Sequence, residues 1–340
     1  MRFPSQFKFI GITVSALLLP LSGLTHDWTS ARPDGHAPAG VMGDHTHKTG
    51  DWMLSYRLMH MEMNELYSGS DKISASTALS DYMVSPLDME MDMQMFGAMY
   101  AINDHLTFMA MVPYLRKSMT HVTRSGTKFT TESEGLGDVS VSGLYVIKKW
   151  HGQQLHLNLG VSLPTGSIDE KDATPADPSA TNNLPYPMQL GSGTTDLRLG
   201  MTYLGQTEEY SWGAQINTIW RTGENDNHYT LGDEIMATYW GAKSLTDALS
   251  VSVRLNYKNW DGIDGRDTTL NANMVPTANT TNSGGSRTEI GLGFNLYAPK
   301  SSKFSGHRLS LEYIEPIQQD LSGLQLGLTR QWTVSWQYAW

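Results

Sequence analysis

Apolar and polar residues alternate with a period of two along most of this chain. Residues 249–258, 288–296 and 155–163 each place Leu, Val, Ile, Phe or Tyr on one face, against Ser, Asn, Gly, Arg, Glu, His and Lys on the other. Successive side chains of a β-strand point to opposite faces of its sheet. Segments of about ten such residues are long enough to cross a bilayer at a tilt. The pattern predicts membrane-crossing strands with one face toward lipid and the other toward a lumen.

Twelve such segments predict a closed all-β barrel. They begin near Asp51, Met89, Leu106, Asp138, Gln153, Thr195, Tyr210, Asp233, Leu249, Arg287, His307 and Arg330. The connections after the even strands are short, whereas those after the odd strands are mostly long and polar, which is typical of outer-membrane barrels. We therefore expect a transmembrane, antiparallel, up-and-down β-barrel of about 12 strands, with short periplasmic turns, long external loops and both chain ends in the periplasm.

The last strand carries the sharpest single signal. Its apolar face consists of Trp332, Val334, Trp336, Tyr338 and Trp340. An edge strand of a soluble sheet would leave these aromatic side chains exposed and prone to aggregation. A final strand that ends on an aromatic residue resembles the signal by which outer-membrane barrels engage the barrel-assembly machinery. We expect the protein in the outer membrane of a Gram-negative bacterium, in contact with membrane lipid and lipopolysaccharide.

The N-terminus divides into two predicted segments that precede the barrel. Arg2 and Lys8 precede an apolar run at residues 9–21, and small residues follow that run. This order predicts a cleaved signal peptide at residues 1–23. That run is short for a transmembrane helix. Residues 24–50 are rich in His, Gly and Pro and predict an irregular segment, which either stays in the periplasm or folds into the lumen. The barrel domain is assigned to residues 51–340.

Composition excludes several classes of function. The chain has no cysteine, which rules out disulfides, thiol nucleophiles and thiolate metal sites. Its 34 acidic and 24 basic residues give a net charge of −10, which argues against nucleic acid as a partner. A mean hydropathy of −0.34 argues against a helical membrane protein. No motif groups a nucleophile with a base and an orienting residue, so we expect the protein not to be an enzyme.

Two short motifs carry a family resemblance. Residues 134–138 (Glu-Gly-Leu-Gly-Asp) open one predicted strand, and residues 162–167 (Ser-Leu-Pro-Thr-Gly-Ser) close the next. Together with the terminal aromatic strand, they resemble the outer-membrane β-barrel family of phenol-degradation meta-pathway (MetA-type) transporter proteins. The resemblance implies an outer-membrane barrel and the uptake of small hydrophobic molecules. It assigns no functional residue.

Methionines are concentrated on the first three strands. Of the 19 in the chain, eleven are predicted to face the lumen: Met53, Met59, Met61, Met63, Met89, Met91, Met93, Met95, Met99, Met109 and Met111. The first hairpin should bring Met59, Met61 and Met63 close to Met89, Met91 and Met93. Thioethers are soft ligands that suit Cu(I). Arg57 and Arg254 are predicted to line the same lumen.

Histidines supply a second set of candidate metal ligands. Asp44, His45 and His47 form a compact nitrogen and oxygen cluster in the irregular segment, suited to Cu(II) or Zn(II). His60 and His121 are further candidates. The alternative for the methionines is a flexible apolar lining, such as would surround a greasy substrate.

Three functions therefore remain open on the sequence alone. The first is a porin-like channel or transporter for a small solute, hydrophobic or aromatic in character. The second is copper binding or transport through a methionine-lined lumen, with Cu(I) as the bound ion. The third is a structural or surface-recognition barrel that acts through its long loops.

Overall fold

Twelve antiparallel strands close into one barrel. The computed structural model describes residues 28–299 and 301–340, so the predicted signal peptide at residues 1–23 lies outside the described residues. The barrel strands are β1 (Trp52–Met63), β2 (Val84–Asn103), β3 (Leu106–Thr123), β4 (Val139–Trp150), β5 (Gln153–Leu163), β6 (Asp196–Gln206), β7 (Tyr210–Arg221), β8 (Glu234–Ser244), β9 (Leu249–Trp260), β10 (Gly285–Tyr297), β11 (His307–Gly327) and β12 (Arg330–Ala339). Each strand pairs with its neighbours in sequence, as in an up-and-down barrel.

The barrel closes where the first strand meets the last. β1 pairs with β12 over a register that runs from Met53 opposite Ala339 to Glu62 opposite Arg330. Trp52 and Trp340 exchange two backbone hydrogen bonds of 3.0 Å beyond that ladder. Their rings stack with centroids 6.5 Å apart. The predicted terminal aromatic strand therefore forms the seam, and its closure leaves no free edge in the barrel wall.

The predicted strand starts agree with the observed ones to within one residue, except at β2 and β10. β2 begins at Val84 rather than Met89, and β10 begins at Gly285 rather than Arg287. β2, β3 and β11 contain 20, 18 and 21 residues. Their length exceeds the predicted ten because their ends on the long-loop side continue beyond the membrane, where β2 still pairs with β3 and where β3 and β11 also pair with loop strands. Glu65–Gly69 pairs with β11, and Lys128–Leu136 pairs with β3.

The outer face of the barrel is apolar and exposed, as a lipid-facing surface requires. Leu54, Phe96 and Phe108 are exposed on β1–β3, and Leu255 and Leu292 are exposed across the barrel. The alternating residues, such as Ser55, are buried inside. An apolar belt that surrounds a closed barrel suits lipid and would not suit water. The chain thus folds as an outer-membrane β-barrel. The single α-helix in the described ranges, Ala75–Asp81, has seven residues, and no described helix could span a membrane.

Two non-barrel segments close the lumen from opposite ends. Residues 28–50, here called the plug, lie inside the barrel, on the side of the short turns. Residues 164–195, here called the lid, fold over the opposite mouth and include the short 3₁₀ helix Tyr186–Met188. Further 3₁₀ turns, Pro276–Ala278 and Thr280–Asn282, lie in the loop before β10.

Candidate functional site: a closed lumen with two unlike walls

Side chains at the short-turn ends of the strands hold the plug. Arg308, the second residue of β11, is buried and donates hydrogen bonds to the carbonyl oxygens of Ser30 (3.0 Å), Arg32 (2.6 Å) and Pro33 (2.7 Å). The Ser250 hydroxyl on β9 donates to the same Pro33 oxygen at 2.9 Å. Strand side chains thus satisfy backbone groups that have no partner in regular structure.

Deeper contacts fix the middle of the plug. Gly40 donates its amide hydrogen to Glu312 on β11 at 2.7 Å, and Glu312 also accepts from Arg254 at 2.7 Å. A Cβ atom at Gly40 would lie 2.7 Å from Arg254 Nη2, so this ion pair leaves room only for glycine. Arg254 is therefore in the lumen, where the sequence placed it, and it serves to dock the plug.

The tip of the plug is held from strands on the opposite side. The carbonyl oxygen of Gly43 accepts hydrogen bonds from Asn158 at 3.2 Å and from His156 Nε2 at 3.0 Å. The Gln215 amide donates to the carbonyl oxygen of Met42 at 3.0 Å. Trp240 is fully buried against an apolar cluster with the plug residues Ala37 and Val41. The irregular segment is thus an ordered plug inside the lumen.

The two family motifs form a clasp at the base of the lid. The Asp138 carboxylate accepts from the Gly166 amide at 2.9 Å and from the amide and hydroxyl of Ser192 at 2.8 and 2.9 Å. Thr165 donates its hydroxyl to the Gly137 carbonyl at 2.8 Å. Gly166 and Gly191 pack backbone to backbone, with no space for a Cβ atom on either. The motifs therefore join the start and the end of the lid.

The lid packs on the outer end of the methionine wall. Met188 is fully buried in a cluster with Met89, Met119 and Leu184. Lys117 on β3 donates to the carbonyl oxygens of Pro187 at 2.8 Å and Gln189 at 2.6 Å. At this end the methionines act as a packing surface for the lid.

The methionine wall itself is formed as the hairpin pattern predicts. Met59, Met61 and Met63 on β1 lie opposite Met93, Met91 and Met89 on β2. Met53 lies opposite Met99, which lies opposite Met109 on β3, while Met95 and Met111 are buried next to Arg57 and Gly97. All eleven methionines lie on the inward faces of β1–β3, so this side of the lumen is rich in thioethers. They alternate with lipid-facing residues such as Leu54 and Phe96 and, toward the long loops, with polar residues such as His60 and Asp92.

The wall across the lumen carries charge. β7, β8 and β9 lie six strands away from β1, β2 and β3 around the barrel. Arg221 on β7 pairs with Asp196 at 2.5 Å and with Glu234 at 3.3 Å, and Lys258 pairs with Glu234 at 2.6 Å. Arg198 on β6 alternates with the lipid-facing Leu197 and Leu199 and so faces the same lumen. It lies near Glu234 and Asp196 but forms no salt bridge with any residue in the described ranges. The lumen is therefore rich in thioethers on one side, where Arg57 and Lys117 also lie, and lined by ion pairs on the other.

Three histidines of the plug lie side by side. The ring of His45 lies 3.9 Å from the ring of His36 and 4.9 Å from that of His47, between centroids. Donor atoms of His36, Asp44 and His45 all lie within 4.8 Å of one another. The predicted cluster of Asp44, His45 and His47 is thus rearranged, because His36 joins the compact set and His47 lies one ring further away. A third histidine in the same short segment was the signal for His36.

Burial and hydrogen bonding set the protonation of this cluster. Burial lowers the pKa of His36 well below its usual value and lowers that of His47 to about 3. Burial alone would raise the pKa of Asp44, but His45, His36 and the amide of Ala37 outweigh it and hold this pKa well below its usual range. His36 and His47 are thus neutral near pH 7, and Asp44 is ionised.

A small cavity joins the histidine cluster to the methionine wall. Its volume is about 10 Å³, close to the space of one water molecule. The lining residues are Gly43, Asp44, His45, Met53, Ser55, Arg57, Gly97, Met99, Met109 and Met111. The plug cluster and the thioethers therefore face the same space.

The other two candidate histidines lie elsewhere. His60 is on the outer side of β1, where its ring nitrogens contact Asp92 at 2.7 Å and Glu62 at 3.4 Å. His121 is buried near the outer end of β3 and stacks on Phe129 with centroids 4.9 Å apart. Neither histidine joins the plug cluster.

Comparisons with known proteins agree with this architecture. A family model described as "Putative MetA-pathway of phenol degradation" matches residues 74–307. An outer membrane channel from Pseudomonas putida F1 superposes with a TM-score of 0.59 at 14% identity, covering 88% of this chain and 99% of that chain. At that identity the likeness extends to the fold alone.

Two further solved structures are more distant. A FadL homologue from Pseudomonas aeruginosa has a TM-score of 0.40 at 10% identity, covering 85% of this chain and 89% of that one. The transport unit of the autotransporter AIDA-I from Escherichia coli has a TM-score of 0.47 at 9% identity, covering 88% and 93%. Neither carries an argument about function. No curated protein sequence matches the chain.

Proposed function

The chain belongs to the family of the MetA pathway of phenol degradation, and we propose that it is an outer-membrane channel for small hydrophobic or aromatic solutes. We further propose that the preferred solutes carry one anionic group. The observation that carries this proposal is the pair of unlike walls in the lumen, thioether-rich on β1–β3 and charged on β6–β9.

The methionine wall suits the apolar part of such a solute. Met59, Met61, Met91 and Met93 are only partly buried, whereas Met53 and Met99 below them are almost fully covered. These four methionines therefore border the part of the lumen that neither the lid nor the plug fills. Methionine is flexible and polarizable, and it adapts to aromatic rings of different shape. Such a surface favours a class of solutes rather than one compound.

Arg198 suits the anionic part. Its neighbours Arg221 and Lys258 already have carboxylate partners in Asp196 and Glu234. Arg198 has no such partner among the described residues, and its guanidinium can bind a carboxylate in two-pronged geometry. A small aromatic acid would place its ring on the methionines and its carboxylate on Arg198.

The plug and the lid cover opposite ends of the lumen, so passage requires both to move. Proteoliposomes that contain the full-length barrel test the proposal through uptake of benzoate, glucose and glutarate. We expect benzoate to enter faster than the other two and with saturation. Arg198→Gln should abolish this preference, whereas Arg116→Gln, on an exposed arginine of β3, should preserve it. Equal fluxes of the three solutes, or an unchanged preference in Arg198→Gln, would refute the proposal.

A second candidate function is transport of a soft metal ion along the methionine wall. It is favoured by the pairing of Met59 with Met93 and Met61 with Met91 on adjacent strands. Conductance in a planar bilayer before and after addition of Ag(I), a stable substitute for Cu(I), tests it. Block by silver that is lost when these four methionines become leucine would support it. Block that persists in this variant, or no block at all, would contradict it, and Met201→Leu on the lipid face is the matched control.

A further inference from the structure

The plug contains imidazole nitrogens that no protein group satisfies. Within the described residues, His36 Nδ1, His45 Nε2 and His47 Nε2 are buried and have no hydrogen-bond partner. His45 and His47 are almost completely covered. A buried polar atom without a partner carries a desolvation cost. Three such nitrogen atoms on adjacent rings indicate that this cluster binds a ligand, which would supply the missing partners.

Asp44 fixes the orientation of the central ring. Its carboxylate accepts a hydrogen bond from His45 Nδ1 at 2.9 Å, and its other oxygen accepts from the Ala37 amide at 2.8 Å. With the proton on Nδ1, the lone pair of His45 is on Nε2, the atom that has no partner. A carboxylate that binds one ring nitrogen and leaves the other free is the usual arrangement behind a metal-bound histidine. Asp44 is therefore a positioning residue.

The surroundings select the kind of ion. Arg57 lines the same small cavity as Asp44 and His45, and the buried Arg308 binds the plug just before His36. The Asp44 carboxylate offsets only one of these two buried positive charges, so the remaining positive charge disfavours a doubly charged ion more than a singly charged one. Imidazole binds several transition metals, but thioethers such as those of Met99 and Met109 select Cu(I). A singly charged soft ion fits both conditions.

We infer that the plug binds one Cu(I)-class ion through His36 and His45, with His47 as an adjacent ligand and Asp44 positioning His45. Such an ion would join residue 36 to residues 45–47 and close the plug into a loop. An ion that binds only the docked plug stabilises the docked state by mass action. The ion would therefore hold the plug in its docked position and keep that end of the channel closed, a role here called the fastener. This inference is independent of the aromatic-acid proposal and concerns a different site from the paired methionines.

Metal binding to the folded full-length barrel in detergent tests the inference. Ag(I) is titrated by calorimetry, Cu(I) by competition with a chromophoric chelator under reducing conditions, and Zn(II) in a parallel titration. We expect one Ag(I) or Cu(I) per chain, with Zn(II) at least tenfold weaker. His36→Gln and His45→Gln should each weaken Ag(I) binding at least tenfold. His228→Gln, on an exposed histidine of an outer loop, should leave it unchanged.

X-ray absorption of the Cu(I)-loaded native barrel locates the ion without any substitution. A coordination shell that contains nitrogen is expected, whereas a sulfur-only shell would move the ion to the methionines and overturn the inference. Hydrogen exchange of residues 35–40 should slow at least tenfold when Ag(I) is added. Unchanged exchange would overturn the role as fastener. Equal affinities of His36→Gln, His45→Gln and His228→Gln, or Zn(II) binding as tight as Ag(I), would overturn the site or the choice of ion. Benzoate uptake reports separately on the solute proposal.

Discussion

Replacement of Arg308 by methionine should loosen the first part of the plug. Arg308 is buried at the short-turn end of β11, and its guanidinium bonds three carbonyl oxygens in residues 30–33. Methionine matches the apolar stem of arginine and has no hydrogen-bond donor. The Arg308→Met variant therefore removes the hydrogen bonds and leaves the apolar stem in place.

The expected loss of docking free energy depends on which hydrogen bonds each of the three carbonyl oxygens retains. The Pro33 oxygen keeps the Ser250 hydroxyl at 2.9 Å, and the Arg32 oxygen keeps the Gly35 amide at 3.0 Å. The Ser30 oxygen has no other protein partner among the described residues. One orphaned carbonyl costs about 1–3 kcal/mol, and hydrogen bonds to a charged donor contribute about 1.5–3 kcal/mol each. Relief from burying the guanidinium offsets part of this loss. We expect a net change of about 3 kcal/mol, or about 10²-fold in the local opening equilibrium.

Hydrogen exchange measured by mass spectrometry on the folded barrel reports this local opening directly. The amides of Gly35 and Ala37 should exchange about 10²-fold faster in Arg308→Met. The Gly40 amide is held by Glu312 and should change less. Arg330→Met is the control, because Arg330 forms an exposed pair with Glu62 and surface pairs contribute only about 0–1 kcal/mol. If plug exchange is the same in both variants, Arg308 is not the anchor that its contacts indicate.

Two further substitutions test the lid and the centre of the barrel. In Gly166→Ala the new Cβ would lie 2.7 Å from the Gly191 Cα atom, so we expect the lid to lose about 1–3 kcal/mol of stability and trypsin to cleave faster at Lys171. Gly223→Ala, where the added atom meets open space, is the control that should have no effect. Trp240→Ala should lower the stability of the barrel by about 3–5 kcal/mol, because Trp240 is fully buried against the plug. Thermal unfolding in detergent measures this change, and Tyr239→Ala on the lipid face should lower the stability clearly less. If Gly166→Ala behaves like Gly223→Ala, or Trp240→Ala like Tyr239→Ala, the contacts assigned to that residue are refuted.

The barrel could be predicted from the sequence because lipid imposes a strict rule on every membrane-crossing residue. Alternation at residues 249–258 fixed both the strand and the face of each side chain, and it placed Arg254 in the lumen. The same rule predicted that Met59 and Met61 lie next to Met93 and Met91, since a hairpin allows few registers. It failed at the start of β2, because β2 and β3 continue to pair, from Val84 opposite Thr123, where the lipid no longer imposes the pattern.

The plug could not be placed from the sequence because it has no periodicity. Its path depends on donors spread over many strands, including Arg308 on β11, Gln215 on β7 and Asn158 on β5. No local pattern shows that such distant side chains converge on one segment. His36 was missed for this reason, since its proximity to His45 arises from a turn that these contacts stabilise. Asp138 was visible as part of a family motif, but its role in the clasp depends on Ser192, 54 residues later.

The two closures should act independently. Among the described residues, no hydrogen bond joins the plug to the lid. The plug bonds to the inner faces of the strands, whereas the lid bonds to Lys117, to the clasp around Asp138 and to loop residues such as Asn225, Asn227 and Asp267. Substitutions that share no partner add to within about 0.5 kcal/mol. The double variant Arg308→Met with Gly166→Ala should therefore show the plug exchange of the first and the lid cleavage of the second. If opening the lid instead speeds exchange in the plug, the ends are coupled through the methionine wall, and the channel would be a gated passage rather than a tube closed by two separate stoppers.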